Sequence, residues 1–240
     1  MKKAIIIGAS SGIGKGITLE LLKKNYKIGI TARRKDKLEE IKTLYPDNVI
    51  VYPFDSSKEK NDEMLKYLTD KLGGLDLLIY SSGIGIVNKE LEYDIEKKVN
   101  NLNVNGFTQV ITWGFNYFKN QGYGQISNIS SVASEIGNGI CPSYNASKAY
   151  QANYLQGLRF KAYRLKLPIK LIDVRPGFVD TDILQGNKDK LFWVSTVKKA
   201  CAQIVEGIER NRKVIYITKR WKIISLLIQI LPESILRKFL

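Results

Sequence analysis

The chain has 240 residues, with 38 Lys and Arg against 23 Asp and Glu, no histidine and two cysteines, for a formal net charge of +15. That length suits one well-cored domain, and the lack of histidine excludes both a Cys/His zinc centre and an imidazole acid or base. The charge admits nucleic acid, an anionic membrane face or an anionic ligand as partner, but the lysines are scattered and no helix carries a basic stripe with interleaved aromatics, so a solvated lysine-rich surface is expected and nucleic acid is not.

Strand-like and helix-like segments alternate up to about residue 217, with no Pro/Gly/Ser-rich linker and no internal repeat. One α/β domain over residues 1–218 is expected, with an apolar tail over 219–240 that belongs to it. Met1-Lys2-Lys3 followed by Ala4 to Ile7 imitates a signal peptide, but Gly8 cuts the apolar run far short of what a signal sequence needs. The chain is therefore read as cytoplasmic, with Cys141 and Cys201 as reduced thiols.

Lys3 to Ile7 reads as a short apolar strand, and Gly8-Ala9-Ser10-Ser11-Gly12-Ile13-Gly14 leads from it into the helical pattern Ile17, Leu21, Leu22. In such a strand, glycine turn and helix, Gly8 allows the tight exit, Gly12 lets backbone amides approach a pyrophosphate and Gly14 lets the helix pack close to the sheet. The residues from Ser10 to Ile13 then lie at a helix N-terminus, where free amides and partial positive charge favour phosphate. A second strand, Lys27 to Thr31, ends at Ala32-Arg33-Arg34-Lys35, where a dinucleotide fold chooses its cofactor. Arginine there suits a 2′-phosphate, so NADP(H) is expected over NAD(H), the alternative being that Arg33, Arg34 and Lys35 merely solvate a helix start. Asp36 fits the helix N-terminus better than a ribose.

A third strand, Val49 to Phe54, closes with Asp55, and a fourth, Leu75 to Tyr80, with Ser81-Ser82-Gly83; both endings fall at the carboxyl edge, where ligands bind in open α/β sheets. Asp55 would accept from an adenine amino group or cap a helix beginning near Ser57. Farther on, Tyr144 and Lys148 stand four residues apart with Ser131 upstream. On a helix that spacing stacks phenol and ammonium on one face. At about 5 to 6 Å and an effective dielectric near 20 the coupling is roughly 3 kcal/mol, about 2 pKa units, which would bring the phenol towards physiological pH. Such a tyrosine exchanges a proton with a carbonyl or alcohol without any imidazole.

Asp182 to Val194 reads as a substrate-selecting lid, with Gly186, Asn187, Lys188, Asp189 and Lys190 as its mobile part and Leu191-Phe192-Trp193 either facing an apolar substrate or packing on the domain. After a seventh strand, Lys213 to Thr218, the run Trp221 to Leu231 is almost wholly apolar, yet too short for a bilayer span of about 20 residues. As a helix it would carry Lys222, Ser225 and Gln229 as a narrow polar stripe, with Lys219, Arg220, Arg237 and Lys238 flanking it. A peripheral membrane contact, a cap over the substrate cleft and packing on the body or on a partner subunit all suit it.

Taken together, Gly8-x3-Gly12-x-Gly14, Asp55, Asn103 in Asn101-Leu102-Asn103-Val104-Asn105-Gly106, Ser131, Tyr144-x3-Lys148 and Arg175-Pro176-Gly177-Phe178-Val179-Asp180-Thr181 resemble the short-chain dehydrogenase/reductase family in its compact single-domain branch, over nearly the whole chain. The resemblance implies a Rossmann-type doubly wound parallel sheet of about seven strands with helices on both faces. It implies Tyr144 as acid/base, Ser131 orienting and polarising the substrate oxygen, and Lys148 holding the nicotinamide ribose while lowering the tyrosine pKa. Asn103 would hold a kinked helix and a water that relays protons, Pro176-Gly177 would bend around the nicotinamide, and Val179 and Thr181 would touch its carboxamide. A small carbonyl or alcohol substrate and a homodimer or homotetramer follow from the same resemblance. One departure is plain: the family's fourth strand usually ends Asn-Asn-Ala-Gly, whereas here it reads Tyr80-Ser81-Ser82-Gly83. That leaves close backbone approach at Gly83 but puts the asparagine hydrogen bonds in doubt, and it is the one feature favouring a cofactor-binding sensor or scaffold without turnover.

Overall fold

The computed structural model describes residues 1–184 and 191–237, so Gly186 to Lys190 of the expected lid and Lys238 of the tail lie outside the described residues. Its strands β1 (Lys3–Ile7), β2 (Lys27–Thr31), β3 (Val49–Val51), β4 (Leu77–Tyr80), β5 (Gly124–Ile129), β6 (Ile169–Pro176) and β7 (Val214–Ile217) form one sheet in the order β3-β2-β1-β4-β5-β6-β7. Every pairing is parallel, as in Ile5 opposite Gly29 on one side and Leu78 on the other. The order runs outward from β1 in both directions, so the chain reverses between β1 and β4 and opens a crevice at their carboxyl ends.

Both faces of the sheet are covered, which explains why β1 reads as unbroken Ala-Ile-Ile-Ile rather than as an alternating strand. Ala4 and Ile6 point into one layer with Ile17 and Leu21 of α1 (Gly12–Leu22) and Ile204 and Ile208 of α7 (Val197–Glu209). Ile5 and Ile7 point into the other, with Met64 and Leu68 of α3 (Asn61–Leu72), Phe107 and Phe115 of α5 (Phe107–Gln121) and Leu155 of α6 (Pro142–Arg164). Between β2 and β3 lies α2 (Lys35–Leu44), with Asp36 in its first turn, as the sequence indicates.

The third and fourth strands are shorter than their apolar runs, although Tyr52 and Phe54 still donate to the carbonyls of Ile30 and Ala32 at 3.0 Å each. The helix expected near Ser57 begins instead at Asn61, because Lys60 adopts a left-handed φ of 71° and Asn61 Nδ2 closes the preceding turn onto the Lys58 carbonyl at 2.9 Å. Between α4 (Tyr93–Asn100) and α5 the backbone widens into a π-helical segment, Asn101–Gly106. Gly106 is required there by close approach, since a Cβ on it would lie 2.1 Å from the Ser56 carbonyl oxygen.

The tail folds as α8 (Trp221–Ile230) and α9 (Glu233–Leu236), and no helix among the described residues is long and apolar enough to cross a membrane. Of the expected polar stripe, the body of the protein takes Ser225 and Gln229 and leaves Lys222 exposed: Ser225 Oγ lies 3.0 Å from the Tyr216 hydroxyl, and Gln229 Nε2 donates to Glu135 Oε2 at 2.9 Å.

Candidate active site

The crevice is floored by the glycine turn. Gly8 has φ +89° and its amide and that of Ala9 donate to the Thr31 carbonyl at 2.8 and 3.1 Å, which bends the chain straight off β1 into α1. A Cβ on Gly14 would sit 2.1 Å from the Gly8 carbonyl oxygen, so the helix can dock only with glycine there. Ser11 precedes α1 in extended conformation without capping it by its side chain. Its hydroxyl instead accepts from Arg34 Nη2 at 2.6 Å, and Ser10 accepts from the same nitrogen at 3.2 Å and from Arg34 Nε at 3.4 Å. Arg34 therefore lies across the helix N-terminus, with Arg33 exposed beside it. The bare turn, the amides of Ile13 and its neighbours and this guanidinium make a cradle that suits a dinucleotide's phosphates.

The flanks of the cradle come from neighbouring strands. Ser82 crosses so close that a Cβ on Gly8 would be 2.7 Å from its amide nitrogen, and Thr181 Cγ2 would be 3.2 Å from a Cβ on Gly12. Asp55 turns inward on its own chain, its Oδ1 accepting from the amide and hydroxyl of Ser57 at 3.0 and 2.8 Å. It is thus a local turn former.

On the other side stand the four residues picked out by chemistry. Tyr144 and Lys148 share one face of α6, and Lys148 Nζ lies 5.9 Å from the Tyr144 ring centroid. Ser131 leaves β5 at the start of a short 3₁₀ turn, Val132–Glu135, accepting from the Ala133 amide at 3.1 Å, and its hydroxyl acts on the Tyr144 phenol to lower its pKa. Its neighbour Ser130 points the other way, into the sheet, and donates to Asp173 Oδ1 at 2.5 Å. Asn103 is fully buried within the π-helical segment. Its Oδ1 accepts from the Ile84 amide at 3.0 Å, and its Nδ2 donates to the Ile84 carbonyl at 2.9 Å and to Ser147 Oγ at 3.0 Å. Gly83 runs between them: a Cβ there would be 3.2 Å from Lys148 Nζ and 3.5 Å from Asn103 Oδ1.

The electrostatics depart from what spacing alone suggests. Burial pushes the Tyr144 phenol above its ordinary value, and the hydrogen bond to Ser131 only partly opposes this, with Cys141 adding to the rise. As a residue Tyr144 is partly exposed in the cleft, while its hydroxyl end is enclosed. Lys148 does not bring the phenol down, because its own ammonium is withdrawn from solvent, turned onto the Ile129 carbonyl at 2.9 Å and Gln151 Oε1 at 3.2 Å, and lowered by burial to about 8 against the pull of Asp173. In this arrangement the tyrosine is a protonated donor at neutral pH.

Beyond β6 the Gly177 amide donates to the Ile217 carbonyl at 2.6 Å, and Val179 is buried and bridges to Ser195. Pro176 ends the strand with its carbonyl 3.4 Å from Ser131 Oγ, so the Pro176-Gly177 bend and the serine turn meet. Trp221 of α8 closes over that bend, stacked on Phe192 at 5.3 Å and edge-on to Phe178 at 5.3 Å. Phe192 and Trp193 thus pack on the domain's own tail, although both stay partly open to solvent.

Two residues of the site escape a reading by motif. Gln151, fully buried, donates to the Asn103 carbonyl at 2.7 Å while accepting from Lys148, so it joins the π segment to the lysine directly. Its signal was its place one turn beyond Lys148 on the same helix face. Tyr80 is the other: its hydroxyl donates to the Leu102 carbonyl in the π segment, a bond that no asparagine pattern would suggest.

Comparison with known proteins identifies the family and the fold. The model of the family described as short chain dehydrogenase matches residues 2–191. An uncharacterised oxidoreductase of Staphylococcus aureus is 31% identical over 186 residues, covering 76% of this chain and 80% of that protein. Among solved structures, a 3-ketoacyl-(acyl-carrier-protein) reductase from Brucella melitensis complexed with NADH superposes with a TM-score of 0.81 at 22% identity, covering 90% of this chain and 96% of that one. A short-chain dehydrogenase from Burkholderia cenocepacia in complex with NADP gives 0.82 at 20% identity, covering 100% and 99%. With its seven-stranded Rossmann-type sheet and the matched span, the chain belongs to the short-chain dehydrogenase family of oxidoreductases.

Proposed function

We propose that the protein is an NADPH-dependent carbonyl reductase or alcohol dehydrogenase acting on a small carbonyl or alcohol. The observation that carries this reading is Tyr144 with Lys148 Nζ buried 5.9 Å from its ring on one face of α6, and Ser131 at the Pro176 bend beside them, at the carboxyl edge of the sheet. Gly8, Ser10, Ser11, Gly12, Ile13 and Gly14 would hold the cofactor's phosphates, with Arg33 and Arg34 at a 2′-phosphate and Asp55 near the adenine. Ser82, Gly83, Pro176, Gly177, Val179 and Thr181 would line its nicotinamide half, together with Tyr144 and Lys148. When bound, the nicotinamide supplies the hydride for the carbonyl carbon.

Tyr144 then donates its proton to the carbonyl oxygen, and Ser131 holds that oxygen by a second hydrogen bond so that negative charge can grow on it. The upward shift of the phenol suits this direction, since a donor must be protonated at working pH. Lys148 and Asn103, joined through Gln151, keep the lysine ammonium oriented towards the bend at Gly83. Aromatic Phe178, Phe192 and Trp193 near the bend favour an apolar substrate. NADP(H) over NAD(H) rests on Arg34 and its two serines. A cytoplasmic setting rests on the free thiols Cys141 and Cys201, and a homo-oligomer on the family resemblance and the exposed Phe160 and Tyr163 of α6. The departure at Tyr80-Ser81-Ser82 does not argue for a silent binding module, because Tyr80 takes up a buried structural bond beside Asn103. The test is Tyr144→Phe assayed on a carbonyl panel with NADPH: turnover is expected to vanish while NADPH fluorescence titration stays close to the parent. Turnover at the parent rate would overturn the reading.

A further inference from the structure

Helix α8 packs Trp221 on the body and half-buries Ile224 and Ile228, yet leaves a separate apolar face turned outward. Trp221 and Ser225 are 5% and 1% exposed and face the body, with Gln229 following them onto Glu135, whereas Ile223, Leu226, Leu227 and Ile230 are 63%, 50%, 47% and 78% exposed. At 3.6 residues per turn those four fall within an arc of roughly 100° on the outer side. The inward polar residues are not misplaced, because they complete a charged network: Glu135 accepts from Arg175, from the Tyr216 hydroxyl at 3.1 Å and from Gln229, while Arg175 Nε donates to Asp173 at 2.6 Å. The outward apolar face is therefore fixed by hydrogen bonds on its reverse side.

Around that face the charge is one-sided. Lys219, Arg220, Lys222 and Arg237 are all exposed, against a single carboxylate, Glu233, among residues 219–237. We propose that α8 lies flat in the surface of an anionic lipid bilayer, with Ile223, Leu226, Leu227 and Ile230 entering the acyl boundary and the four cations meeting the headgroups. A second copy of the chain fits worse: a two-fold pairing of α8 would set each cationic rim against its own image on a protein already at +15. Four apolar side chains on a ten-residue helix also fall well short of the roughly 800 Å² per partner of a stable interface. The proposal is independent of the reaction performed in the cleft.

The full chain should be floated with phosphatidylcholine vesicles and with vesicles in which phosphatidylglycerol replaces part of that lipid, at low and high salt. Flotation is expected with the anionic vesicles, weakened by salt, and reduced about fivefold in affinity for each charge removed in Lys222→Gln and Arg237→Gln. Leu226→Asp combined with Ile230→Asp should abolish it with an unchanged circular dichroism melt, which separates lost binding from lost folding. The proposal is overturned if the chain floats with neither composition. It is equally overturned if the double variant floats like the parent, or if that variant merely lowers the mass seen by light scattering while no vesicle is bound, which would assign the face to a second copy.

Discussion

The Tyr80 hydroxyl donates to the Leu102 carbonyl at 2.8 Å, so the last residue of β4 is tied to the π-helical segment that presents Asn103. The phenol is wholly buried and its ring sits edge-on to Phe107 at 5.5 Å. Burial pushes its pKa far up, so it remains a donor at any working pH.

Tyr80→Phe keeps that ring packing and removes only the donor. A buried carbonyl is left without its partner, at a cost of about 1–3 kcal/mol. The urea midpoint should fall with an unchanged m value, and kcat should fall more than KM rises, because Asn103 is the neighbour of the freed carbonyl.

Gln151→Leu is expected to be more severe. It strips partners at once from the Asn103 carbonyl, the Lys148 ammonium and Asn128 Nδ2, which lies 3.2 Å from Gln151 Oε1. A loss of at least about 2 kcal/mol in urea unfolding follows, with a drop in kcat that the nucleotide affinity does not mirror.

Arg34→Ala should separate the two nicotinamide cofactors. If the guanidinium above Ser10 and Ser11 receives a 2′-phosphate, its loss weakens NADPH about 10- to 100-fold and leaves NADH nearly unchanged in fluorescence titration. Equal weakening of both would mean that the arginine serves only the turn.

Lys148 gives the protein a pH signature. Its folded pKa of about 8 lies below the ordinary 10.5, so between those values the unfolded chain holds more protons and stability rises with pH. From about pH 8 upward the trend is increasingly opposed, because the Cys201 thiol, raised by burial from 9.0 to about 12, and the raised Cys141 thiol stay protonated in the folded chain while the unfolded chain loses their protons, and the raised phenol of Tyr144 adds to this near pH 10. Urea unfolding without cofactor should therefore show a change from pH 8 to 9 that is about 1 kcal/mol more favourable in the parent than in Lys148→Met.

The sheet was legible because its signals are local and repeated: β1 and β2 begin and end where their apolar runs do, and the glycine turn stands where a strand meets a helix. Strand ends at β3 and the start of α3 were less so, since the left-handed Lys60 and the Asn61 turn depend on contacts from distant residues such as Gln109. At the site, Tyr144 and Lys148 share a helix face as their spacing implies, while Asn103, named only through the family resemblance, lies near Lys148 across Gly83. The direction of the tyrosine shift was not readable, because spacing reports a neighbour's charge but not that the neighbour is itself desolvated and turned away. The facing of α8 was hidden for a similar reason: Ser225 and Gln229 turn inward only because Tyr216 and Glu135, from other parts of the chain, meet them.

Gly177 bears on what the tail is. A Cβ at that position would lie 2.0 Å from Trp221 Nε1, so the residue that would bend the chain at the nicotinamide is kept small by a side chain from α8. A chain cut before Trp221 would thus be left with a hole against its own Pro176-Gly177 bend, and a larger residue at 177 would lever α8 away from the body. Through Trp221, α8 holds the shape of the Pro176-Gly177 bend as well as covering the body.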